Sequence, residues 1–71
     1  MEKILIVGAG NAGAQILREI RMNPGLGIKV VGILDDNKDI RGKILYDTPI
    51  LGTTQEINTI IKKTRGIATI F

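Results

Sequence analysis

The sequence contains no cysteine, no histidine and no serine, and its only aromatic side chains are Tyr46 and Phe71. Without cysteine, neither a disulfide framework nor a thiolate metal site can form. Without histidine and serine, the common pairs of nucleophile and base cannot be assembled here, which argues against self-contained hydrolase chemistry. Because aromatic residues are so few, the core has to be built from Ile, Leu, Val and Ala. That composition is typical of buried parallel strands flanked by helices.

Charge and hydropathy argue against two further classes of protein. Ten Lys and Arg against seven Asp and Glu give a net charge of +3, but the basic residues are scattered and their only cluster is Lys62, Lys63 and Arg65. Such a cluster is better explained as cations that complement the negative end of a helix dipole than as a patch that binds nucleic acid. The first apolar run breaks at Gly8, too early for a membrane-spanning helix. We therefore expect a cytoplasmic domain that does not bind nucleic acid and is not inserted in a membrane.

The first half of the chain follows the pattern of a βαβ unit that binds a dinucleotide. Ile4 to Val7 is apolar at consecutive positions, which is typical of a central strand covered on both faces. A helix is predicted to begin at Asn11 or Ala12 and to end at Asn23, because the proline that follows disfavours a helical conformation in the residue before it. A second buried strand is predicted at Ile28 to Leu34.

The turn between the first strand and the helix matches G-x-G-x-x-G in full, at Gly8, Gly10 and Gly13. The first glycine allows the tight turn, the second lets a pyrophosphate approach the backbone, and the third lets the helix pack closely on the strand. The backbone amides of Asn11 and Ala12 are expected to face the phosphate oxygens. The turn is therefore predicted to bind a dinucleotide or a related nucleotide. The alternative is a scaffold of the same shape that no longer binds a ligand.

Two acidic residues follow the second strand. Asp35 lies twenty-two positions after the last glycine of the motif, and its carboxylate is expected to accept hydrogen bonds from the ribose hydroxyls and to repel a 2′-phosphate. NAD is therefore favoured, and Asp36 is predicted to contact it as well. Lys38 or Arg41 can offset the repulsion, so NADP stays open. The alternative is that the two acids and the asparagine after them simply form a turn.

The second half of the chain is less regular. From Lys38 to Thr54 the pattern predicts one or two short strands where a regular dinucleotide domain has a helix. Thr53 or Thr54 is expected to cap a second helix, and Gly66 to end it. The final run, Ile67 to Phe71, is predicted to be another inner strand. The apolar stripe of the second helix is predicted to consist of Ile57, Ile60 and Ile61.

No catalytic residue and no metal site is predicted. Tyr46 is the one candidate acid, because short-chain dehydrogenases use a Tyr-x-x-x-Lys pair. The fourth residue after Tyr46 is Ile50, so the pair is absent and a tyrosine that packs in a turn is expected instead.

These elements predict the α/β class: a partial Rossmann-like parallel sheet of about four strands in the order 3-2-1-4, with helices on both faces. Residues 1–71 are expected to form a single nucleotide-binding domain, a fragment of a larger protein. The order places a crevice directly above the glycine turn. The final strand leaves an unpaired edge, so we also expect a homo-oligomer.

The motifs together resemble a known family. The sequence K-I-L-I-V-G-A-G-N-A-G, the Asn23-Pro24 pair, Asp35-Asp36 and the element from Pro49 to Thr53 are similar to the amino-terminal Rossmann-like domain of bacterial polysaccharide-biosynthesis proteins. The proteins in question are nucleotide-sugar 4,6-dehydratases and epimerases of the capsular type. The resemblance covers nearly the whole chain. A similar domain also occurs in membrane phosphoglycosyl transferases.

The resemblance implies a function for the parent protein. In that family, membrane helices precede this domain, and a catalytic domain that binds NAD(P) and converts UDP-N-acetylhexosamines follows it. We therefore expect a domain that binds NAD(P) or a nucleotide-sugar, is not catalytic alone, and lies at the cytoplasmic face of the inner membrane when its parent is anchored there. The alternative is a non-catalytic regulatory or assembly module, for example of a phosphoglycosyl transferase.

Overall fold

The apolar run near the amino terminus was predicted to be the central strand, and it forms an inner strand of a five-stranded sheet, next to the middle strand. The computed structural model describes residues 2–70, which form five strands and two α-helices, together with three short 3-10 turns. The strands are β1 (Glu2–Val7), β2 (Ile28–Leu34), β3 (Ile44–Leu45), β4 (Thr48–Gly52) and β5 (Ile67–Ile70), and the helices are α1 (Asn11–Met22) and α2 (Ile57–Lys63).

The strand order is β3-β4-β2-β1-β5. The pairs of β1 with β2, β1 with β5 and β2 with β4 are all parallel, whereas β3 pairs with β4 in the antiparallel sense. The predicted order 3-2-1-4 is confirmed by the four parallel strands, and the irregular region, predicted to hold one or two short strands, contains two. The prediction for Phe71 lies outside the described residues.

The two faces of the sheet carry separate parts of the core. On one face, Ile4 and Ile6 pack with Leu17 of α1, and on the other Leu5 packs with Ile60 of α2. This division follows from the alternation of side chains along β1, which is buried on both faces. Helices therefore cover both faces, as predicted.

The two helices differ in how well their observed ends match the predictions. Helix α1 ends at Met22, before the Asn23-Pro24 pair, as predicted. Helix α2 begins at Ile57, after a 3-10 turn at Thr54–Glu56, and neither predicted threonine caps it with its side chain. Within the described residues, no helix is long and apolar enough to cross a membrane.

The connection from β2 to β4 contains no α-helix. It consists of a 3-10 turn at Lys38–Ile40 and the β3–β4 hairpin. The two residues at the tip of the hairpin, Tyr46 and Asp47, both have positive φ, at 49° and 62°. That combination defines a type I′ turn, which normally prefers Asn-Gly. Asp47 forms an ion pair of 2.9 Å with Arg21 of α1, so the turn is tied to the helix.

Candidate nucleotide-binding site

The predicted glycine turn lies at the carboxyl end of β1, where the chain enters α1. Gly8 has a φ of +92°, a conformation that side-chain-bearing residues rarely adopt, and its N–H donates to the carbonyl of Leu34 on β2 (2.7 Å). A Cβ on Gly13 would collide with the carbonyl oxygen of Gly8. These two glycines are therefore required by the fold itself, because one makes the turn and the other lets the helix approach it.

Gly10 differs from the other two glycines of the motif. Its φ of −68° is accessible to every residue, and a Cβ at this position would have no heavy atom within 4 Å. Neither backbone conformation nor packing therefore requires glycine here. A reason for glycine at this position is that a ligand must approach the backbone closely, which is the role the motif assigns to its second glycine.

The amino terminus of α1 offers free hydrogen-bond donors. Its N-cap residue, Gly10, makes no side-chain cap, and the first turn holds no acidic residue. Within residues 2–70, the N–H groups of Asn11, Ala12 and Gly13 have no acceptor. Unpaired amides at the positive end of a helix dipole form a site for an anion such as a pyrophosphate. The structure therefore places the predicted phosphate contacts Asn11 and Ala12 where they can act.

Asp35 lies beside the glycine turn and already holds it. One carboxylate oxygen accepts the N–H of Ala9 (2.5 Å), and the other accepts the N–H of Asn37 (2.7 Å). These two hydrogen bonds, first that from Ala9 and then that from Asn37, lower the pKa of the Asp35 carboxyl from its ordinary 3.8, and burial opposes them. A carboxylate has about four lone-pair positions, so two remain for a ligand. The turn alternative and the ribose contact are therefore compatible.

Asp36 serves a different purpose from Asp35. Its carboxylate accepts both the N–H (2.9 Å) and the hydroxyl (2.9 Å) of Thr54, at the start of the 3-10 turn that precedes α2. Asp36 thereby connects the end of β2 to the segment after β4. Thr54 bonds to an acid eighteen positions away instead of capping its own helix, and no local sequence signal distinguishes these two arrangements.

A cavity opens at the glycine turn. Its volume is about 370 Å³, within the range of ligand pockets, and it reaches the inner side chains Ile6 and Ile16. The residues of the turn that line it are Gly8, Gly10, Asn11, Ala12 and Gly13. Five of the seven predicted cofactor contacts therefore surround one opening, while Asp35 borders the turn through Ala9. Among the described residues, no group of three acidic side chains converges to hold a metal ion.

Two comparisons bear on this geometry. The family model for the CoA-binding domain matches residues 1–71, which is the full length of the chain. None of the curated proteins matches the sequence. A mostly parallel α/β sheet with a glycine turn at the carboxyl end of an inner strand is the architecture of a Rossmann-like nucleotide-binding domain. The chain therefore belongs to the CoA-binding domain family, whose fold is Rossmann-like.

Proposed function

We propose that this domain binds an adenosine-diphosphate group, with the pyrophosphate against the first turn of α1 and the ribose beside Asp35. The observation that carries the proposal is Gly10, a glycine that the fold does not need at a position where a ligand would. The free amides that follow it supply the donors, and the lone pairs of Asp35 supply acceptors for hydroxyl groups.

NAD is the ligand that these residues favour. A ribose with free hydroxyls can donate to the Asp35 carboxylate, whereas a phosphorylated ribose would bring a second negative charge against it. Lys38 and Arg41 follow Asp35 closely in the sequence, and both are exposed. They are the cations that would accommodate the 2′-phosphate of NADP if it binds.

CoA is the second candidate, because the matching family is described as a CoA-binding domain. CoA contains the same adenosine and pyrophosphate as NAD, but its ribose carries a 3′-phosphate. Repulsion by Asp35 should then make dephospho-CoA a better ligand than CoA. A UDP-sugar, which shares the pyrophosphate but not the adenine, is the third ligand to compare.

For the parent protein, we propose a nucleotide-sugar 4,6-dehydratase or epimerase of surface-polysaccharide synthesis. The family resemblance supports this assignment. The domain would then bind a nucleotide without turning it over. The alternative remains a regulatory or assembly module, including one of a membrane phosphoglycosyl transferase. Self-association through the outer edge of β5 also stays a prediction.

Calorimetric titration with NAD, NADP, CoA, dephospho-CoA and UDP-N-acetylglucosamine tests the binding proposal. Gly10→Ala is the decisive variant, because its methyl group meets only open space and the change at the N-cap should lower the unfolding free energy by no more than about 1 kcal/mol. We expect the variant to fold and to lose saturable binding of the preferred ligand.

Gly25→Ala is the matched control, because Gly25 is also exposed, has no positive φ and has open space at its Cβ position. It should bind like the parent chain. If both variants bind equally well, the glycine turn is not the ligand site. If a folded parent chain binds none of the five ligands, the assembly module becomes the better description.

A further inference from the structure

A second opening lies at the other end of β2, away from the glycine turn. Strand β4 pairs with β2 only at Ile33 and Leu34, so within residues 2–70 no strand pairs with the outer edge of β2 from Ile28 to Val31. The tip of the β3–β4 hairpin lies across the opening, and Asp47 at this tip forms an ion pair with Arg21 of α1. The gap is a cavity of about 520 Å³.

The cavity has an apolar floor, formed by Leu17 and Ile20 of α1 and by Ile28 and Val30 of β2. The rest of the lining consists of Arg21, Pro24, Lys29, Tyr46, Asp47 and Thr48. Side chains alternate along a strand, so a strand added at this edge would direct every second side chain into the floor. The free N–H and C=O groups of Ile28 to Val31 would pair with its backbone.

The opposite face of the same edge is basic. Lys29 lies between Ile28 and Val30 and therefore projects from the other face, where Lys3 is its direct neighbour on β1. Neighbouring like charges on adjacent strands repel each other. Lys3 donates to the carbonyl of Arg65, and within the described residues no acidic side chain pairs with either lysine. An acidic side chain on an added strand would relieve this repulsion.

We propose that the outer edge of β2 from Ile28 to Val31 binds an extended acidic peptide segment of another protein by strand addition. Its alternate apolar side chains enter the cavity beneath α1, and the acidic side chains between them face Lys29. The site is separate from the glycine turn and does not depend on which nucleotide binds there.

The test uses the ¹⁵N-labelled chain and an acetylated, amidated peptide of alternating valine and aspartate. We expect saturable amide shifts at residues 28–31 and 46–48, with the amides of residues 8–13 unchanged. A peptide with lysine in place of aspartate should bind more weakly, by up to about fivefold for each charge pair. A peptide with a central proline should not bind, because proline removes a backbone donor and disrupts strand pairing.

Two variants make the test specific. Lys29→Glu should reverse the preference, so that the lysine peptide binds more tightly than the aspartate peptide. Lys62→Glu, an exposed charge change on α2, should leave the preference as it is. Both positions are exposed, so both variants should fold.

Four results would overturn the proposal. They are a lack of shifts at residues 28–31, equal binding of the proline peptide, equal effects of the two lysine variants, and shifts of the same amides with protein concentration alone. The last result would mean that a second copy of the chain covers the edge.

Discussion

The two ends of β2 lie in opposite environments, although one short strand forms both. At the carboxyl end, β1 and β4 flank the strand, Ile33 and Leu34 are 0% exposed, and the acids that follow bind the glycine turn and Thr54. At the amino end, only β1 pairs with the strand, and Ile28 and Val30 are half-buried. The same run of apolar residues is therefore buried and paired on both sides at one end, and half-buried and paired on one side at the other.

The difference shows how the glycine turn, the proposed nucleotide site, is held. The carboxyl end is fixed by strands on both sides and by charge-assisted hydrogen bonds, so the donors of the glycine turn are positioned before a ligand arrives. At the amino end these restraints are missing within residues 2–70, because β4 pairs with β2 only at Ile33 and Leu34. Three groups of variants can sharpen or break this contrast.

The largest expected effect comes from the packed end. Ile33→Ala removes a fully buried side chain and should lower the unfolding free energy by about 2–5 kcal/mol, because a cavity remains. Val30→Ala, at the half-buried end, should cost about 1 kcal/mol. Urea denaturation measures both, with Ile33→Val, expected to cost about 0.5–1.5 kcal/mol, as the substitute if the alanine variant does not fold. Equal losses at the two positions would show that the ends are packed alike.

A smaller effect is expected at Asp35. Asp35→Asn keeps the shape but loses the charge that two backbone N–H groups bind, and should cost about 1 kcal/mol at neutral pH. Since the folded state lowers the pKa of this carboxyl, the charged form stabilises the fold above pH 3.8, and the benefit is lost as pH falls through the lower folded pKa. The variant and the parent chain should therefore converge in stability in acid.

Thermal unfolding from neutral to acidic pH measures this convergence. Asp39→Asn is the control, because within residues 2–70 the side chain of Asp39 makes no hydrogen bond or ion pair. A difference between Asp35→Asn and the parent chain that does not depend on pH would mean that the carboxylate charge does not hold the glycine turn.

The smallest effect is expected at the hairpin. Replacing Tyr46-Asp47 by Asn-Gly puts residues that tolerate positive φ into the type I′ turn, and should raise the unfolding free energy by about 1 kcal/mol. The lost ion pair with Arg21 is exposed and should subtract no more than about 0.5 kcal/mol. Calorimetric melting measures the balance, with Arg21→Met isolating the ion pair. A destabilised double variant would show that the ion pair outweighs the backbone strain.

Local patterns were sufficient for the first half of the fold. The glycine turn, the limits of α1 and the second strand follow from apolar runs, the glycine motif and the Asn23-Pro24 pair, all of which act between near neighbours in sequence. The same patterns placed the predicted phosphate contacts around one opening. They did not distinguish the three glycines, because only the packed structure shows that Gly10 has open space where Gly13 meets a carbonyl oxygen.

The second half depended on contacts between distant residues. Thr54 was predicted as a helix cap but bonds to Asp36, and Ile61, predicted in the apolar stripe of α2, is 37% exposed. Helical periodicity leaves both Ile60 and Ile61 near one face, and the direction from which the sheet approaches decides which of them is buried. The number of strands between Lys38 and Thr54 was likewise open, since hairpin pairing depends on partners as well as on propensity.

The sequence by itself determined the α/β class, the order of the parallel strands and the glycine turn, because each follows from periodicity and turn chemistry within a short stretch of chain. Only the tertiary structure decided that Asp35 holds the turn through Ala9, that Asp36 binds Thr54, and that β2 is left open at its amino end. Those features depend on how far β4 extends along β2 and on where the hairpin is tied. Both are set by contacts between residues that are far apart in the chain.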